Sequence, residues 1–155
     1  MTRIRTLRRR SLQTGVGLIE VMVAVLVMAV GLLGIAAMQA AALRNSQSSL
    51  ERSQAVVQTY AVLDAMRANL DAARSGAYDT PLQCDALVGG TLAENDRAAW
   101  LEGLKRTLGE QACGAIVCVA VAASDARECT ITVQWNDERG SGGNSAQQVV
   151  TRTRV

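Results

Sequence analysis

Residues 16–43 read VGLIEVMVAVLVMAVGLLGIAAMQAAAL, the longest apolar run of the chain. Between Val16 and Met38 the only ionisable side chain is that of Glu20. Twenty-three helical residues extend about 35 Å at a rise of about 1.5 Å per residue, which exceeds the roughly 30 Å of a bilayer core. The run therefore predicts a transmembrane helix over 16–38.

The charge distribution predicts how this helix is oriented. Five of the 16 basic residues precede it, and no acidic residue occurs before Glu20. These five are Arg3, Arg5, Arg8, Arg9 and Arg10. Basic flanks stay on the cytoplasmic side, so the C-terminal body is expected across the membrane. A cleaved secretory signal is disfavoured, because its apolar region usually spans about 7–15 residues.

From Val16 onward the chain has 11 basic and 14 acidic residues, a balance of −3. A body with this balance has no basic footprint for phosphates, which argues against nucleic acid as a partner. A carboxylate at Glu20 is costly in hydrocarbon and is usually paired. It either lies solvated at the headgroups or meets a positive charge. Cleavage after Gly15 would create one, the α-amine of Val16, one helical turn away.

An arginine-rich leader, Gly15, the sequence VGLIE and a long apolar helix resemble the class III signal of type IV pilins and type II secretion pseudopilins. Residues 17–39 are most similar to a group of minor pilins, the type IV pilus modification proteins. TITVQWND at 130–137 is similar to a strand of that group. The chain departs from the family in having Val16 instead of Phe and Gly17 instead of Thr.

The resemblance implies a minor pilin, a structural subunit that takes part in pilus initiation and assembly and thereby in adhesion or twitching motility. Residues 1–15 would be a prepilin leader, and prepilin peptidase would cut between Gly15 and Val16 and methylate Val16. Glu20 would neutralise that amine in its own or a neighbouring subunit. Expected partners are the peptidase, inner-membrane lipid, and other minor and major pilins through the N-terminal helix. The head would lie in the periplasm.

Two alternatives remain at the level of sequence. A type II secretion pseudopilin shares the processing signal and the fold. A periplasmic binding module on a non-cleaved anchor would retain the arginines and would not depend on the peptidase.

The helical pattern continues beyond the membrane segment, over 39–75. Apolar residues recur at spacings of three, four and seven, as on one face of a helix that packs on a head. They are Leu43, Leu50, Val56, Val57, Tyr60, Leu63, Met66 and Leu70. We expect one helix from about Leu18 to Ala73, stopped by Gly76. Gly31 and Gly34 indicate close helix packing or, alternatively, a segment that unwinds during assembly.

Residues 76–155 predict an α+β head with a three-stranded antiparallel sheet packed on the long helix. A loop is expected over 76–90. Thr91 and Glu94 form a capping box for a short helix that ends at Gly109. Its apolar face comprises Trp100, Leu101, Leu104 and Leu108. The expected strands are 115–121, 130–135 and 147–155.

Four cysteines, Cys84, Cys113, Cys118 and Cys129, lie on the side expected to be oxidising. They allow three disulfide connectivities. Cys118 and Cys129 occupy the two arms of the predicted hairpin and could face each other, which would leave Cys84 for Cys113. A zinc site is one alternative, but no CxxC pair occurs. Reduced cysteines are the other, and the expected periplasmic location argues against them.

The sequence predicts no catalytic residue, metal or cofactor, and we do not expect an enzyme. It contains no His, the commonest general base. The acidic groups of residues 85, 94 and 96 and of residues 137 and 138 are interpreted as solvated carboxylates. Residues 140–145 are expected to form a flexible Gly/Ser-rich loop. Trp100 and Trp135 are expected in the core.

Overall fold

The computed structural model describes residues 15–85, 88–140 and 142–155 of the chain. The expected leader with its five arginines, up to Thr14, lies outside the described residues. The chain divides into two compact units, one up to Ala40 and one from Ala41 onward. The elements are α1 (Leu18–Ala68), α2 (Leu70–Ser75), β1 (Thr80–Gln83), α3 (Leu92–Leu108), β2 (Cys113–Ala120), β3 (Arg127–Trp135) and β4 (Gln147–Arg154). A long apolar helix and a small antiparallel sheet confirm the α+β class.

The first unit contains the apolar part of α1. All described residues of this unit, Gly15 to Ala40, are exposed within the chain. Gly31 and Gly34 are helical and leave the helix unbroken. By length and composition this helix is compatible with a single membrane span.

The predicted single helix to Ala73 is wrong at its end. The first helix stops at Ala68, and α2 begins at Leu70 after Asn69, whose backbone has φ −124° and ψ 56°. Asn competes poorly for a helix interior because its side chain finds other partners; here its Nδ2 donates to the hydroxyl of Tyr78 at 3.3 Å. The predicted stop is confirmed, since Gly76 adopts a left-handed φ of 88°.

The face of α1 that packs on the head also differs from the predicted stripe. The buried residues are Ala55, Thr59, Val62, Leu63 and Met66. Five residues of the predicted stripe are exposed: Leu43, Leu50, Val56, Val57 and Tyr60. Small side chains at 55 and 59 allow neighbouring elements to approach α1 closely. The Thr59 hydroxyl is satisfied within the helix, where it donates to the Ala55 carbonyl at 2.9 Å.

Among the described residues the sheet has four antiparallel strands in the order β1-β2-β3-β4, one more than predicted. The second and third strands begin earlier than predicted, and Ile116 pairs with Ile131 at their centre. The extra strand, β1, lies in the segment expected to be a loop, with Thr80 opposite Ile116. Pro81 obscures this strand in the sequence, because proline is tolerated in a sheet only at an edge or bulge.

The capping box of α3 is confirmed. The Thr91 amide donates to Glu94 Oε2 at 2.8 Å, and the Glu94 amide donates to Thr91 Oγ1 at 3.3 Å. The Gly90 amide also donates to Glu94 Oε2, at 2.9 Å. The hydrogen bonds that the Glu94 carboxylate accepts from the amides of Thr91 and Gly90 lower the pKa of Glu94. The predicted face of Trp100, Leu101, Leu104 and Leu108 is buried, and the helix ends before Gly109.

Two disulfides close the head, Cys84–Cys113 and Cys118–Cys129. Cys118 and Cys129 lie directly opposite each other in the β2–β3 register, as the hairpin predicts. No cysteine remains free, so the zinc alternative is excluded. The cysteines of the first bridge are 29 positions apart in the sequence and those of the second are 11 positions apart. Each bridge restricts the unfolded chain and typically stabilises a small domain by about 2–4 kcal/mol.

Candidate assembly helix and its anchor on the head

The N-terminal end of α1 brings the predicted processing residues together. The amides of Glu20 and Val21 donate to the Gly17 carbonyl at 3.0 and 3.2 Å, which starts the helix after Gly17. Gly15 and Val16 therefore precede the helix, and Val16 is 70% exposed. Within residues 15–85, 88–140 and 142–155 the Glu20 carboxylate has neither a hydrogen bond nor an ion pair. Cleavage, methylation and the role of Glu20 remain predictions.

The apolar surface of the first unit covers all sides of the helix. Every large apolar side chain from Val16 to Met38 is between 50% and 79% exposed within the chain. A helix that is apolar all round needs an apolar environment on every side, either lipid or other apolar helices. A partner that contacts one face would leave most of this surface in water.

In the second unit, the large apolar side chains of α1 that stay exposed lie on one side of the helix. We name the exposed residues Leu43, Leu50, Val57 and Tyr60 the outer stripe; they are between 56% and 67% exposed. Residues seven apart lie on nearly the same face of a helix. The outer stripe is therefore a narrow apolar surface that a second helix could contact. The opposite face of this part of α1 is buried in the head.

Three polar side chains of α1, those of Ser48, Glu51 and Arg52, contact the last residue of β3 and the segment that follows it. Trp135 is fully buried, and its indole Nε1 donates to Glu51 Oε2 at 3.1 Å. Asp137 is only 2% exposed and accepts a hydrogen bond from Ser48 Oγ at 2.6 Å. Arg52 approaches the same carboxylate at 3.8 Å. Buried polar groups need such partners, so this anchor explains why Trp and Asp occur together in TITVQWND.

Asp137 corrects two expectations from the sequence. Its carboxylate is buried instead of solvated, whereas Asp85 and Glu138 are exposed. The following glycines also allow a close approach that larger residues would prevent. The Gly140 amide donates to the Asp137 carbonyl at 3.0 Å, and a Cβ at Gly143 would overlap that carbonyl. The loop therefore folds back on Asp137 and is not merely a flexible connection.

A second polar cluster joins the segment after α2 to α3. The buried Tyr78 hydroxyl donates to Asp96 and accepts from Asn69. Burial, and then the hydrogen bond to Asp96, raise the pKa of Tyr78. Next to it, Arg127 NH2 contacts Asp79 Oδ2 at 3.0 Å. Sequence reasoning missed this cluster, because nothing in the spacing of 78, 79, 96 and 127 indicates their contact.

One groove of the head is lined mainly by polar residues. It has a volume of about 500 Å³ and is lined by residues of α1, the end of α3 and the loop after β3, including Glu51, Thr107, Gln111, Asn136 and Arg139. Across the part of the chain that the structure describes, no group of three or more Cys, Asp or Glu side chains is placed to hold a metal ion.

Comparison with known proteins leaves the family open: no protein-family model, no curated protein and no solved structure matches this chain.

Proposed function

We propose that this protein is a minor type IV pilin similar to the type IV pilus modification protein PilV, a structural subunit that acts by assembly. The observation that carries the proposal is one helix with two kinds of surface. Its first part is apolar on all sides and begins at Leu18, shortly after Gly15 and Val16. Its second part anchors a disulfide-closed α+β head through Trp135 and Asp137.

Before assembly, the proposed location of α1 is the bacterial inner membrane, with lipid around residues 16–38 and the head in the periplasm. Two disulfides support an oxidising compartment for the head. During assembly, helices of neighbouring minor and major pilins would replace the lipid. The outer stripe would then provide a further contact for a neighbouring helix, because it is the apolar face of α1 that the head leaves uncovered.

The proposed role of Glu20 follows from its isolation. A carboxylate without a partner near a membrane interior is costly, and cleavage after Gly15 would place the Val16 amine about one turn before it. An ion pair within the subunit or with a neighbour would offset this cost. Nothing in the proposed mechanism requires bond chemistry by the protein itself; prepilin peptidase would supply the cleavage and the methyl transfer.

The proposal is tested by the mass of the mature N-terminus. We expect intact-mass and N-terminal peptide spectra from membranes to show a chain that starts at methylated Val16, and only in cells with prepilin peptidase. Gly15→Leu should block processing, whereas Gly17→Ala, on the other side of the bond, should permit it. An N-terminus that retains residues 3–15 in cells with active peptidase would refute the pilin assignment and favour an uncleaved anchor.

A second experiment separates the pilus from the secretion system. Cross-linking of the processed protein in membranes should recover major pilin, and recovery should fall at least about tenfold in Glu20→Gln, a ratio equivalent to about 1.4 kcal/mol. Processing should persist in this variant, so the two steps are read separately. Cross-links that form only when a type II secretion system is present would assign the chain to the pseudopilins.

A further inference from the structure

The two edges of the sheet are built differently. At one edge, β1 has only four residues, contains Pro81, and shifts register between Thr80 and Gln83. Proline lacks the amide that a further strand would need, and an irregular edge discourages pairing. At the other edge, the eight residues of β4 pair with β3 in unbroken register from Gln147 to Arg154 and contain no proline.

One reciprocal hydrogen-bonded pair shows which backbone groups of β4 point away from β3. Arg127 and Val155 exchange both of their hydrogen bonds, at 2.9 and 3.0 Å. In an antiparallel ladder such pairs alternate with pairs that do not bond to each other. The amides and carbonyls of residues 148, 150, 152 and 154 therefore point away from β3. They form an uninterrupted hydrogen-bonding edge that β3 does not use.

The side chains of the same four residues are all exposed. Val150 is 53% exposed, and it is followed on the same face by Arg152 and Arg154. Neither arginine makes a side-chain hydrogen bond or an ion pair within the described ranges, although Glu128 is the register partner of Arg154. The free edge thus combines unpaired backbone groups with two unpaired positive charges spaced two residues apart.

We propose that the free edge of β4 binds an extended acidic segment of a partner protein as a fifth strand. Residues opposite each other in paired strands point to the same face. A bound strand would therefore place its alternate residues beside Arg152 and Arg154, where Asp or Glu would pair with them. Backbone hydrogen bonds would supply affinity, and the two arginines would select the acidic sequence. This inference does not depend on the proposed pilin function.

A second copy of β4 is a poorer occupant of this edge. Two paired copies would bring four arginines onto the same face of one sheet, with no acidic residue in β4 to separate them. Like charges on adjacent strands destabilise the pairing. Charge complementarity therefore favours a different, acidic chain.

The test uses the full chain in a non-ionic detergent with its disulfides intact. The probe is a fluorescently labelled, blocked peptide, Ser-Val-Glu-Val-Glu-Val-Ser, and the control peptide carries lysine in place of glutamate. Fluorescence anisotropy should detect binding of the glutamate peptide and binding at least about tenfold weaker for the lysine peptide, a ratio equivalent to about 1.4 kcal/mol. Charge reversal with R152E and R154E should invert the preference.

Two variants at one position separate backbone pairing from charge attraction. Val150→Pro removes an amide that β3 does not use, so the fold should persist, as tryptophan fluorescence and intact disulfides would report. Binding of the glutamate peptide should fall at least about tenfold, again a ratio equivalent to about 1.4 kcal/mol. Val150→Thr keeps the amide and should bind like the parent. Bound peptide should also slow hydrogen exchange at residues 148, 150, 152 and 154, whereas the other β4 amides should be protected already.

Three results would overturn the proposal. One is equal binding of the two peptides, and another is unchanged binding by Val150→Pro. The third is no binding of the glutamate peptide at about 1 mM, which corresponds to about −4 kcal/mol. Self-association of the chain that Val150→Pro abolishes, without any peptide binding, would assign the edge to a second copy and would also contradict the acidic partner.

Discussion

The two parts of α1 differ in what covers them. From Leu18 to Ala40 the helix is exposed on every side, and Leu26 is 64% exposed within the chain. From Ala41 to Ala68 one face is buried, and even the polar Thr59 is fully buried while Leu50 is 60% exposed. Along this second part of α1, contact with the head therefore decides which side chains are buried, and the apolar character of each side chain does not. The first part of α1 keeps its apolar side chains exposed on every side within the described chain.

This difference has an energetic consequence. Soluble proteins rarely expose large contiguous apolar patches, because water contact with such surfaces favours association. The head avoids this by covering Leu63 and Met66, whereas the outer stripe is only a narrow seam. The exposed apolar surface of residues 16–38 is much wider, so we expect lipid or neighbouring helices to cover it. The proposed function assigns both roles to it in turn.

The largest expected effect comes from truncating the covered face. Leu63→Ala should lower the free energy of unfolding of the head by about 2–5 kcal/mol, because it removes a side chain that is only 1% exposed and leaves a cavity. Leu50→Ala should change it by less than about 0.5 kcal/mol. Urea unfolding of the full chain in detergent, followed by tryptophan fluorescence, measures both. Equal losses would mean that the outer stripe is also covered.

Membrane insertion of the exposed first part of α1 should be weakened by an added charge. Leu26→Arg places a cation in the middle of the apolar segment and should weaken membrane insertion by about 2.5–3.5 kcal/mol. Leu50→Arg, at 60% exposure compared with 64% for Leu26, should leave insertion unchanged. The fraction of protein that resists alkaline extraction from membranes reports the difference. Extraction of both variants alike would break the distinction between the two parts of the helix.

Local signals in the sequence predicted much of the fold. The apolar segment follows from its length, the start of α3 from the spacing of Thr91 and Glu94, and the second disulfide from the opposition of Cys118 and Cys129 in a hairpin. Each depends on residues that are near in sequence or paired in a regular register. Such signals act within one element or one hairpin and do not depend on distant tertiary contacts.

The errors arise where distant residues decide the outcome. The apolar period over 43–70 could not reveal which face meets the head, because Ala55 and Thr59 are buried through tertiary packing. Likewise the sequence predicts a solvated carboxylate at Asp137, because it does not show that the hydroxyl of Ser48, 89 positions away, donates to that carboxylate at 2.6 Å. The candidate processing site at Gly15, Val16 and Glu20 could be named from sequence by resemblance, whereas the anchor on the head required the structure.

A smaller effect should come from the polar anchor within the covered part. Ser48→Ala removes the hydroxyl that donates to buried Asp137, and Arg52 at 3.8 Å remains as partial compensation. We expect a loss of about 1 kcal/mol in the free energy of unfolding. The exposed neighbour Ser49 is the matched control, and Ser49→Ala should have no measurable effect. A similar loss in both variants would indicate a general helix effect and not the anchor.

The smallest effect should be a loss of stability in alkaline solution caused by ionisation of Tyr78, which lies beside the end of α1. Burial raises the pKa of Tyr78 above its ordinary value of 10.0, so the folded state holds the phenolic proton more tightly than the unfolded state. Stability from this group is therefore complete below about pH 10 and is lost as the pH rises through the folded pKa. Tyr78→Phe should lower stability at neutral pH, since Asp96 loses its donor, but should remove this alkaline decline.

The exposed Tyr60 provides the control for that pH profile. Urea unfolding at intervals from about pH 8 to 11 should give the same slope for Tyr60→Phe as for the parent, and a shallower one for Tyr78→Phe. The slope, rather than the absolute stability, identifies the ionisation, because the lost hydrogen bond lowers stability equally at every pH below the transition. If Tyr78→Phe retained the parent's slope, the alkaline loss would have to originate elsewhere in the head, and the covered end of α1 would be insensitive to the phenol's charge.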